Sequence, residues 1–259
     1  MPTIEVNGTA LFHRFDGKRD APVLVLSNSL GTEIGMWDAQ VDAFASRFRV
    51  LRYDSRGHGK SSVPPGPYRI EDLGRDLVGL LDALGLGRVH FCGLSKGGMV
   101  GMWLGSNAPQ RVDRLVLCNT SAWLGPKETW TARIEAVRKG GMAAVTPGVL
   151  ERWLTSDFRA REPEAVEKVR RMLLATAPEG YVASCEAIRD MDQRESIANI
   201  RAPTLVVVGT EDPATPPAHG RAIAGKIGGA KVVELPAAHL SNVEAAGQFT
   251  AAVLEFLGT

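Results

Sequence analysis

Residues 89–98, which read VHFCGLSKGG, decide the fold of this chain. Residues 89–92 are typical of a short buried strand, and residues 99–104 continue as a mainly apolar helix. Between them, residues 93–97 fit the pattern G-x-S-x-G, which carries chemistry when it forms a sharp turn from a strand to a helix. Such a turn lifts the hydroxyl of Ser95 above the end of the sheet. Ser95 is therefore the candidate nucleophile.

The glycines of the motif and the helix after it support this interpretation. A side chain at Gly93 or Gly97 would collide with the neighbouring strand or helix. The helix that starts beside Ser95 points the positive end of its dipole toward a developing oxyanion. The alternative is a glycine-rich connection whose serine has no catalytic role. The agreement between the motif and its context favours the nucleophile.

The composition is that of an ordinary globular protein. The chain has 259 residues, 44% of them hydrophobic and 23% charged, with a formal net charge of +1. This charge gives no basis for a nucleic acid or an acidic membrane surface as a partner. The first residues lack a signal-peptide pattern, no apolar run has the length of a membrane span, and Cys92, Cys118 and Cys185 lack metal-ligand spacing. We expect a cytoplasmic protein with no metal or organic cofactor, and the sequence does not indicate an oligomeric state.

Buried strands alternate with helices along most of the chain. A hairpin is predicted to turn at Asn7-Gly8, and Ser241 with Glu244 is predicted to form a capping box for the last helix. Helices are expected at 36–48 and 70–84. Apolar strands are predicted at 23–26, 50–53, 89–92, 114–118, 204–208 and 231–235. This alternation predicts an α/β fold with a mostly parallel sheet covered by helices on both faces.

One segment breaks the alternation. Residues 121–190 show no buried strand, only helical stretches interrupted by proline and glycine, and they contain Trp123, Trp130 and Trp153. We interpret this segment as a helical cap inserted into an α/β core that comprises residues 1–120 and 191–259.

A serine needs an adjacent base that is itself held by a third group. Among five histidines, His239 is the best base because it follows the last predicted strand, where an open parallel sheet places its chemistry. The other four histidines lie elsewhere in the predicted fold: His13 in the hairpin, His58 in a loop, His90 inside a strand and His219 at the start of a helix. The alternative role for His239 is a helix-capping or surface histidine.

The acid is expected between the serine and the histidine in chain order. Asp212 follows the penultimate strand and is the preferred acid, although an Asp-Pro pair is often only a turn former. Glu211 is the local competitor, and Asp190 and Asp192 are more distant ones.

Two backbone N–H groups should face an oxyanion. One belongs to Lys96, directly after the nucleophile, and the other is expected in the loop after the first buried strand, at Leu30. Because these donors are main-chain groups, the side chains give little information about their role. The alternative is that this loop is only a glycine-containing connection.

The chain as a whole resembles the α/β-hydrolases, and in particular the 3-oxoadipate enol-lactonases of the β-ketoadipate pathway. The turn at Ser95 and an Asp-x-Arg-Gly loop are shared with many α/β-hydrolases. The stretches Ser-Asn-Ser-Leu-Gly-Thr and Leu-Cys-Asn-Thr are more specific to the lactonases. The resemblance rests on residues 26–32 (LSNSLGT), 36–38 (MWD), 53–61 (YDSRGHGKS), 93–101 (GLSKGGMVG), 117–122 (LCNTSA), 130, 133–134 and 209–212 (GTED).

This resemblance implies hydrolysis of a small anionic enol-lactone, 3-oxoadipate enol-lactone, to 3-oxoadipate. The chemistry of a serine nucleophile requires no cofactor, and the sequence offers no site for one. Two positions depart from wider patterns. Asn28-Ser29 replaces the His-Gly common in the superfamily, which suits the lactonases, and Lys96 stands where an apolar residue is more usual.

Arg133 is the candidate for binding the carboxylate of the substrate. It lies on the apolar stripe of a cap helix bounded by Pro126 and Gly140, and no acidic residue on that helix can pair with it. Its partner is then either an acidic residue of the core, which would make it a strut, or the substrate. Lys96 is a second candidate for the carboxylate. We expect Ser29, Trp123, Trp130 and Trp153 to contribute to the substrate site.

Other functions remain open at this stage. An esterase, another lactonase or a carbon–carbon bond hydrolase would use the same residues, whereas the aspartate-nucleophile branches are disfavoured by Ser95. A receptor that kept the pocket and lost turnover belongs to another class, and an intact set of catalytic residues argues against it.

Overall fold

The computed structural model describes residues 3–258. In this range the chain forms one eight-stranded sheet. The strands are β1 (Thr3–Val6), β2 (Thr9–Asp16), β3 (Val23–Ser27), β4 (Arg49–Tyr53), β5 (Val89–Leu94), β6 (Val112–Cys118), β7 (Thr204–Gly209) and β8 (Lys231–Leu235).

The sheet has the order β1-β2-β4-β3-β5-β6-β7-β8. β1 and β2 pair antiparallel with their neighbours, and all other pairs are parallel. The predicted hairpin is confirmed: Asn7 and Gly8 have φ angles of 47° and 74°, as a two-residue hairpin turn requires. Because β3 to β8 run parallel, their carboxyl ends meet at one edge of the sheet, where the loops after β3, β5, β7 and β8 converge.

Helices cover the sheet. They are α1 (Asp38–Ala45), α2 (Ile70–Ala83), α3 (Lys96–Asn107), α4 (Lys127–Gly140), α5 (Thr146–Trp153), α6 (Ser156–Arg161), α7 (Pro163–Ala175), α8 (Pro178–Asp190), α9 (Pro217–Lys226), α10 (Ser241–Glu244) and α11 (Ala246–Leu257). The α/β fold predicted from the sequence is confirmed.

Helix α2 shows how the pattern specifies an element. Leu73, Leu77, Leu80 and Leu81 recur at helical spacing, and all four side chains are buried. Leu84 ends the helix, and Gly85 follows with a φ of 65°, a left-handed conformation that glycine adopts without steric cost. The predicted helix is confirmed to within one residue.

The described chain leaves the sheet after Cys118 and re-enters it at Thr204, with α4 to α8 in between. α4 begins one residue after Pro126 and includes Gly140 as its last residue, so the predicted bounds are confirmed to within one residue; the helix buries Ile134 and Val137. The boundaries of the cap, 121–190, stay a prediction.

The predicted capping box at the C-terminus is wrong. Ser241 is the first residue of α10, and its hydroxyl donates to Asn119 Oδ1 at 2.5 Å. Glu244 instead accepts from the N–H of Ala238 at 2.9 Å and from the hydroxyl of Thr155. These two side chains are used for contacts between distant segments, which the local pattern could not reveal.

No helix in residues 3–258 is long and apolar enough to cross a bilayer.

Candidate active site

Ser95 occupies the turn between β5 and α3. Its φ of 56° and ψ of −114° are unusual for a residue with a side chain, a strain that clusters at functional positions. Two contacts hold the turn: the N–H of Ser95 donates to Cys118 O at 2.9 Å, and its carbonyl accepts from Thr120 Oγ1 at 2.8 Å. The strain is therefore enforced by the neighbouring strand β6 and the residues that follow it.

The flanking glycines are required at their positions. A Cβ on Gly93 would lie 2.2 Å from the carbonyl oxygen of Gly97, and a Cβ on Gly97 would lie 2.1 Å from that of Ser27. Backbone atoms cannot move away from such contacts cheaply. The expected collision with neighbouring segments is thus present at both sites.

His239 and Asp212 face each other in the loops after β8 and β7. His239 Nδ1 lies 2.8 Å from Asp212 Oδ2, and both residues are almost completely buried. A carboxylate on Nδ1 fixes the proton there and leaves Nε2 as the basic nitrogen. The pair can therefore orient and activate a base, as a serine nucleophile requires.

The carboxylate of Asp212 is held by further donors. Oδ1 accepts from the N–H groups of Ala214 at 2.8 Å and Thr215 at 2.9 Å. Oδ2 also accepts from Thr215 Oγ1 at 2.7 Å and from Asn119 Nδ2 at 3.1 Å. Burial raises the pKa of Asp212, but the charge of a protonated His239 and these hydrogen bonds outweigh burial and lower the pKa to about 2. Asp212 is thus ionised at neutral pH.

The competing acids lie elsewhere. Glu211 is exposed. Asp190 pairs with Lys127 and Arg189, and Asp192 pairs with Arg194. Among the acidic residues weighed from the sequence, only Asp212 contacts the imidazole.

The two predicted oxyanion donors lie at the same edge of the sheet. Within residues 3–258, neither the N–H of Leu30 nor that of Lys96 donates a hydrogen bond to another residue. The N–H of Lys96 belongs to the first turn of α3, where helix donors lack intrahelical partners. Neither group therefore has an acceptor within the described chain, as donors to an oxyanion require.

A cavity of about 250 Å³ opens at this point between the sheet edge and the helices α4, α5 and α8. It combines polar catalytic candidates with apolar walls and two arginines. Its lining is Leu30, Ser95, Met99, Leu124, Gly125, Thr129, Trp130, Arg133, Arg152, Trp153, Ile188, Pro213, Ala214, Thr215 and His239.

Arg133 and Arg152 enter the cavity from two different helices, α4 and α5. Among the described residues, no carboxylate lies within 4.0 Å of either guanidinium. Burial, together with the positive charge of Arg133, lowers the pKa of Arg152. Arg133 also lies over the ring of Trp130, with Cζ 4.7 Å from its centroid. Residues 3–258 therefore contain no acidic partner through which Arg133 would link the cap to the core.

Three of the predicted substrate-site assignments do not hold in the structure. Trp123 is 41% exposed and lies in a separate groove, stacked under Arg194, because residues 121–125 turn its ring away from the sheet edge. Ser29 is completely buried and does not line the cavity. The side chain of Lys96 is buried behind Ser95, where it contacts Ser55 and His58 instead of the cavity. Trp130, Trp153 and Arg133 do line it.

Arg152 and Thr215 were not predicted from the sequence. Arg152 directly precedes Trp153, which shares the buried face of α5 with Val149 four residues earlier, so the pattern that identified Arg133 is present here too. Thr215 lies three residues after Asp212, a spacing at which a side chain can bond back to an aspartate.

Within residues 3–258, no group of three or more histidine, cysteine or acidic side chains could hold a metal ion.

A strained serine between β5 and α3, with a histidine and an acid in the loops after β8 and β7, is the arrangement of an α/β hydrolase. The family model of the alpha/beta hydrolase fold matches residues 22–246, and the chain belongs to this family of enzymes. Among curated proteins, 3-oxoadipate enol-lactonase 2 of Acinetobacter baylyi is 39% identical over 97% of this chain and 94% of that protein.

Two further comparisons show the range of activities among the relatives. The crystal structure of the enol-lactonase from Burkholderia xenovorans LB400 superposes with a TM-score of 0.98 and is 48% identical, with both chains covered completely. A RutD protein of a Caulobacter species, whose name assigns it carbamate hydrolysis, is 33% identical over 95% of both chains.

Proposed function

We propose that this chain is an enol-lactonase that opens a small anionic enol-lactone, 3-oxoadipate enol-lactone, to 3-oxoadipate. The observation that carries the proposal is the pair Arg133 and Arg152, which share a cavity with Ser95 and His239 and have no carboxylate partner among the described residues. An arginine fork binds a carboxylate through two parallel hydrogen bonds. The enol-lactonases among the relatives support the same substrate class.

In the proposed mechanism, Ser95 Oγ attacks the lactone carbonyl while His239 Nε2 accepts its proton. Asp212 holds the imidazole through Nδ1 and stabilises the imidazolium. The N–H groups of Leu30 and Lys96 stabilise the tetrahedral oxyanion. The carbon–oxygen bond of the ring then breaks, and His239 returns the proton to the enolate oxygen that leaves.

The released enol remains part of the same acyl chain on Ser95 and tautomerises to the ketone. His239 then activates a water molecule that attacks the ester carbonyl, and the product leaves as a dicarboxylate. The free carboxylate of the substrate lies at the opposite end from the lactone carbonyl, so the arginines would hold that end while Ser95 attacks the other. Trp130 and Trp153 provide apolar walls for the ring between these ends.

The test compares the purified protein on the enol-lactone and on a neutral ester of similar size. We expect kcat/KM to be higher on the anion, and Ser95→Ala to retain the fold but lose turnover by several orders of magnitude. Intact-mass spectrometry should find a fluorophosphonate adduct on Ser95. Rapid labelling also separates an enzyme from a receptor, because only an activated serine reacts quickly. An adduct on another residue, or no preference for the anion, contradicts the proposal.

The panel should include simple esters, other lactones and a carbamate, because those activities use the same nucleophile. A cytoplasmic location, with a small lactone and neither nucleic acid nor membrane as the partner, belongs to the same proposal.

A further inference from the structure

Lys96 is the chain neighbour of Ser95, yet its ammonium group does not reach the cavity. The residue is 1% exposed. Its Nζ donates to Ser55 Oγ at 2.7 Å and lies 3.3 Å from both ring nitrogens of His58. The side chain therefore runs from the nucleophile turn into the interior beneath the loop that follows β4.

The groups that face this ammonium provide little compensation for its charge. Among the described residues, no carboxylate lies within 4.0 Å of Nζ. Burial lowers the pKa of Lys96 to about 7, and the charges of Cys185 on α8 and of Asp54 oppose this change only partly. Burial also raises the pKa of Asp54 to about 6, so this carboxylate is charged above that pH. The positive charge of Arg133, which lines the cavity from α4, also favours a lower pKa of Cys185. A charged group this deep is costly, so the position favours an apolar residue unless the charge has a use.

His58 accepts from this lysine as a neutral ring. Burial and the charge of Lys96 lower the pKa of His58 well below its usual value. Its Nδ1 lies 3.2 Å from the carbonyl oxygen of Arg56, which assigns the ring proton to Nδ1 and leaves Nε2 as the acceptor for Lys96. Ser55 and the neutral His58 can therefore both accept from Nζ, and Lys96 is the one side chain of the three that can carry a positive charge here.

The charge lies close to the reacting atoms. Adjacent Cα atoms are separated by about 3.8 Å, so a lysine side chain directly after Ser95 keeps its Nζ within roughly 10 Å of that residue. At this distance in a protein interior, a unit positive charge stabilises an oxyanion enough to change a rate by about 10-fold. The main chain of the same residue supplies one of the proposed oxyanion donors.

We propose that the buried ammonium of Lys96 stabilises the anionic intermediate formed at Ser95, so that the protonation of this lysine sets the alkaline limit of activity. In this proposal, Lys96 stabilises the negative charge through its electric field and does not contact the substrate. The inference rests on Ser95 as the nucleophile of the proposed function, but not on the identity of the lactone.

The experiment measures kcat/KM for a neutral ester between pH 5.5 and 9.5 on the wild-type protein and on Lys96→Met, which keeps an unbranched side chain one atom shorter and removes its charge. We expect the wild type to be about 10-fold faster at the acidic end, and the two curves to converge as the pH rises above about 8. The ratio of the two rates cancels every other pH dependence that the two proteins share. Lys60→Met, which removes an exposed lysine from the same loop region, is the matched control and should follow the wild type.

A second variant covers the case in which Lys96→Met does not fold. Ser55→Ala removes the closest acceptor of the ammonium, and we expect the alkaline limb to move to lower pH by roughly half a unit to one unit. A ratio that stays constant across the pH range, or an alkaline limb that Ser55→Ala leaves in place, would overturn the proposal and leave Lys96 a structural residue. Fluorophosphonate labelling of Ser95 in each variant separates this result from a failure of the proposed function, in which Ser95 itself would not label.

Discussion

The side-chain amide of Asn119 lies 3.1 Å from the carboxylate of Asp212, and the same nitrogen lies 3.1 Å from the carbonyl oxygen of Ala238. One amide at the end of β6 therefore connects the loop of the candidate acid with the loop of the candidate base. Ser241 holds that amide by donating to its Oδ1 at 2.5 Å. The orientation of His239 thus depends on a residue that touches neither the cavity nor the imidazole.

Replacing Asn119 should reduce activity through the position of Asp212. Asn119 has a φ of 43°, so Asn119→Gly removes the amide without adding backbone strain. Loss of a hydrogen bond to a charged group predicts a decrease in kcat of roughly 10-fold or more with little change in KM. Steady-state kinetics test this, with the exposed Asn107→Gly on α3 as a control. A change confined to KM would contradict a positioning role.

The choice between two neighbouring acids gives the second prediction. Asp212→Asn should lower kcat by about 10³-fold to 10⁴-fold, because the amide disturbs the tautomer and the charge balance of the imidazole. Glu211→Gln, one residue earlier and exposed, should have almost no effect. Kinetics on the two variants decide the point, and the reverse order of damage would move the acid by one residue.

Arg133 and Arg152 should act on the charge of the substrate. Each single change to alanine is expected to lower kcat/KM for the anionic enol-lactone by roughly 10-fold to 100-fold and to have a much smaller effect on a neutral ester. The matched control is Arg138→Ala. Arg138 lies on the same helix as Arg133, but it is exposed and pairs with Glu186 of α8. Equal losses on both substrates, together with a lower Tm, would instead indicate that the arginines support the cap.

The buried Lys96 also predicts how stability changes with pH. Its pKa is lowered to about 7 in the folded state, so between pH 7 and the ordinary lysine range the unfolded chain binds more protons. The stability contribution of Lys96 should therefore rise with pH through this window, by at most about 1.4 kcal/mol per pH unit. Lys96→Met should be more stable than the wild type at pH 6, and this advantage should shrink toward pH 10. Chemical denaturation at several pH values measures the difference, and an advantage that grows with pH would contradict the buried charge.

Local patterns in the sequence were sufficient for the strands, for helix α2 and for the nucleophile turn. The spacing of leucines along α2, the Asn7-Gly8 turn and the glycines on either side of Ser95 each depend on contacts or backbone angles within a few residues, or on a steric requirement that glycine alone meets. The order of serine, acid and histidine along the chain then placed Asp212 and His239 in loops at the same edge of the sheet.

The tertiary structure alone decided where side chains from different elements point. It directed Lys96 inward to Ser55 and His58, turned Trp123 outward, buried Ser29, and brought Arg152 into the cavity beside Arg133. It also assigned Asn119, Ser241 and Glu244 to contacts with Asp212, Asn119 and Thr155, which lie far away in the chain. The periodicity of an element specifies which face is buried. The partner on that face, and hence the hydrogen bonding of a buried polar group, is set by segments that lie from about 40 to more than 100 residues away in the chain.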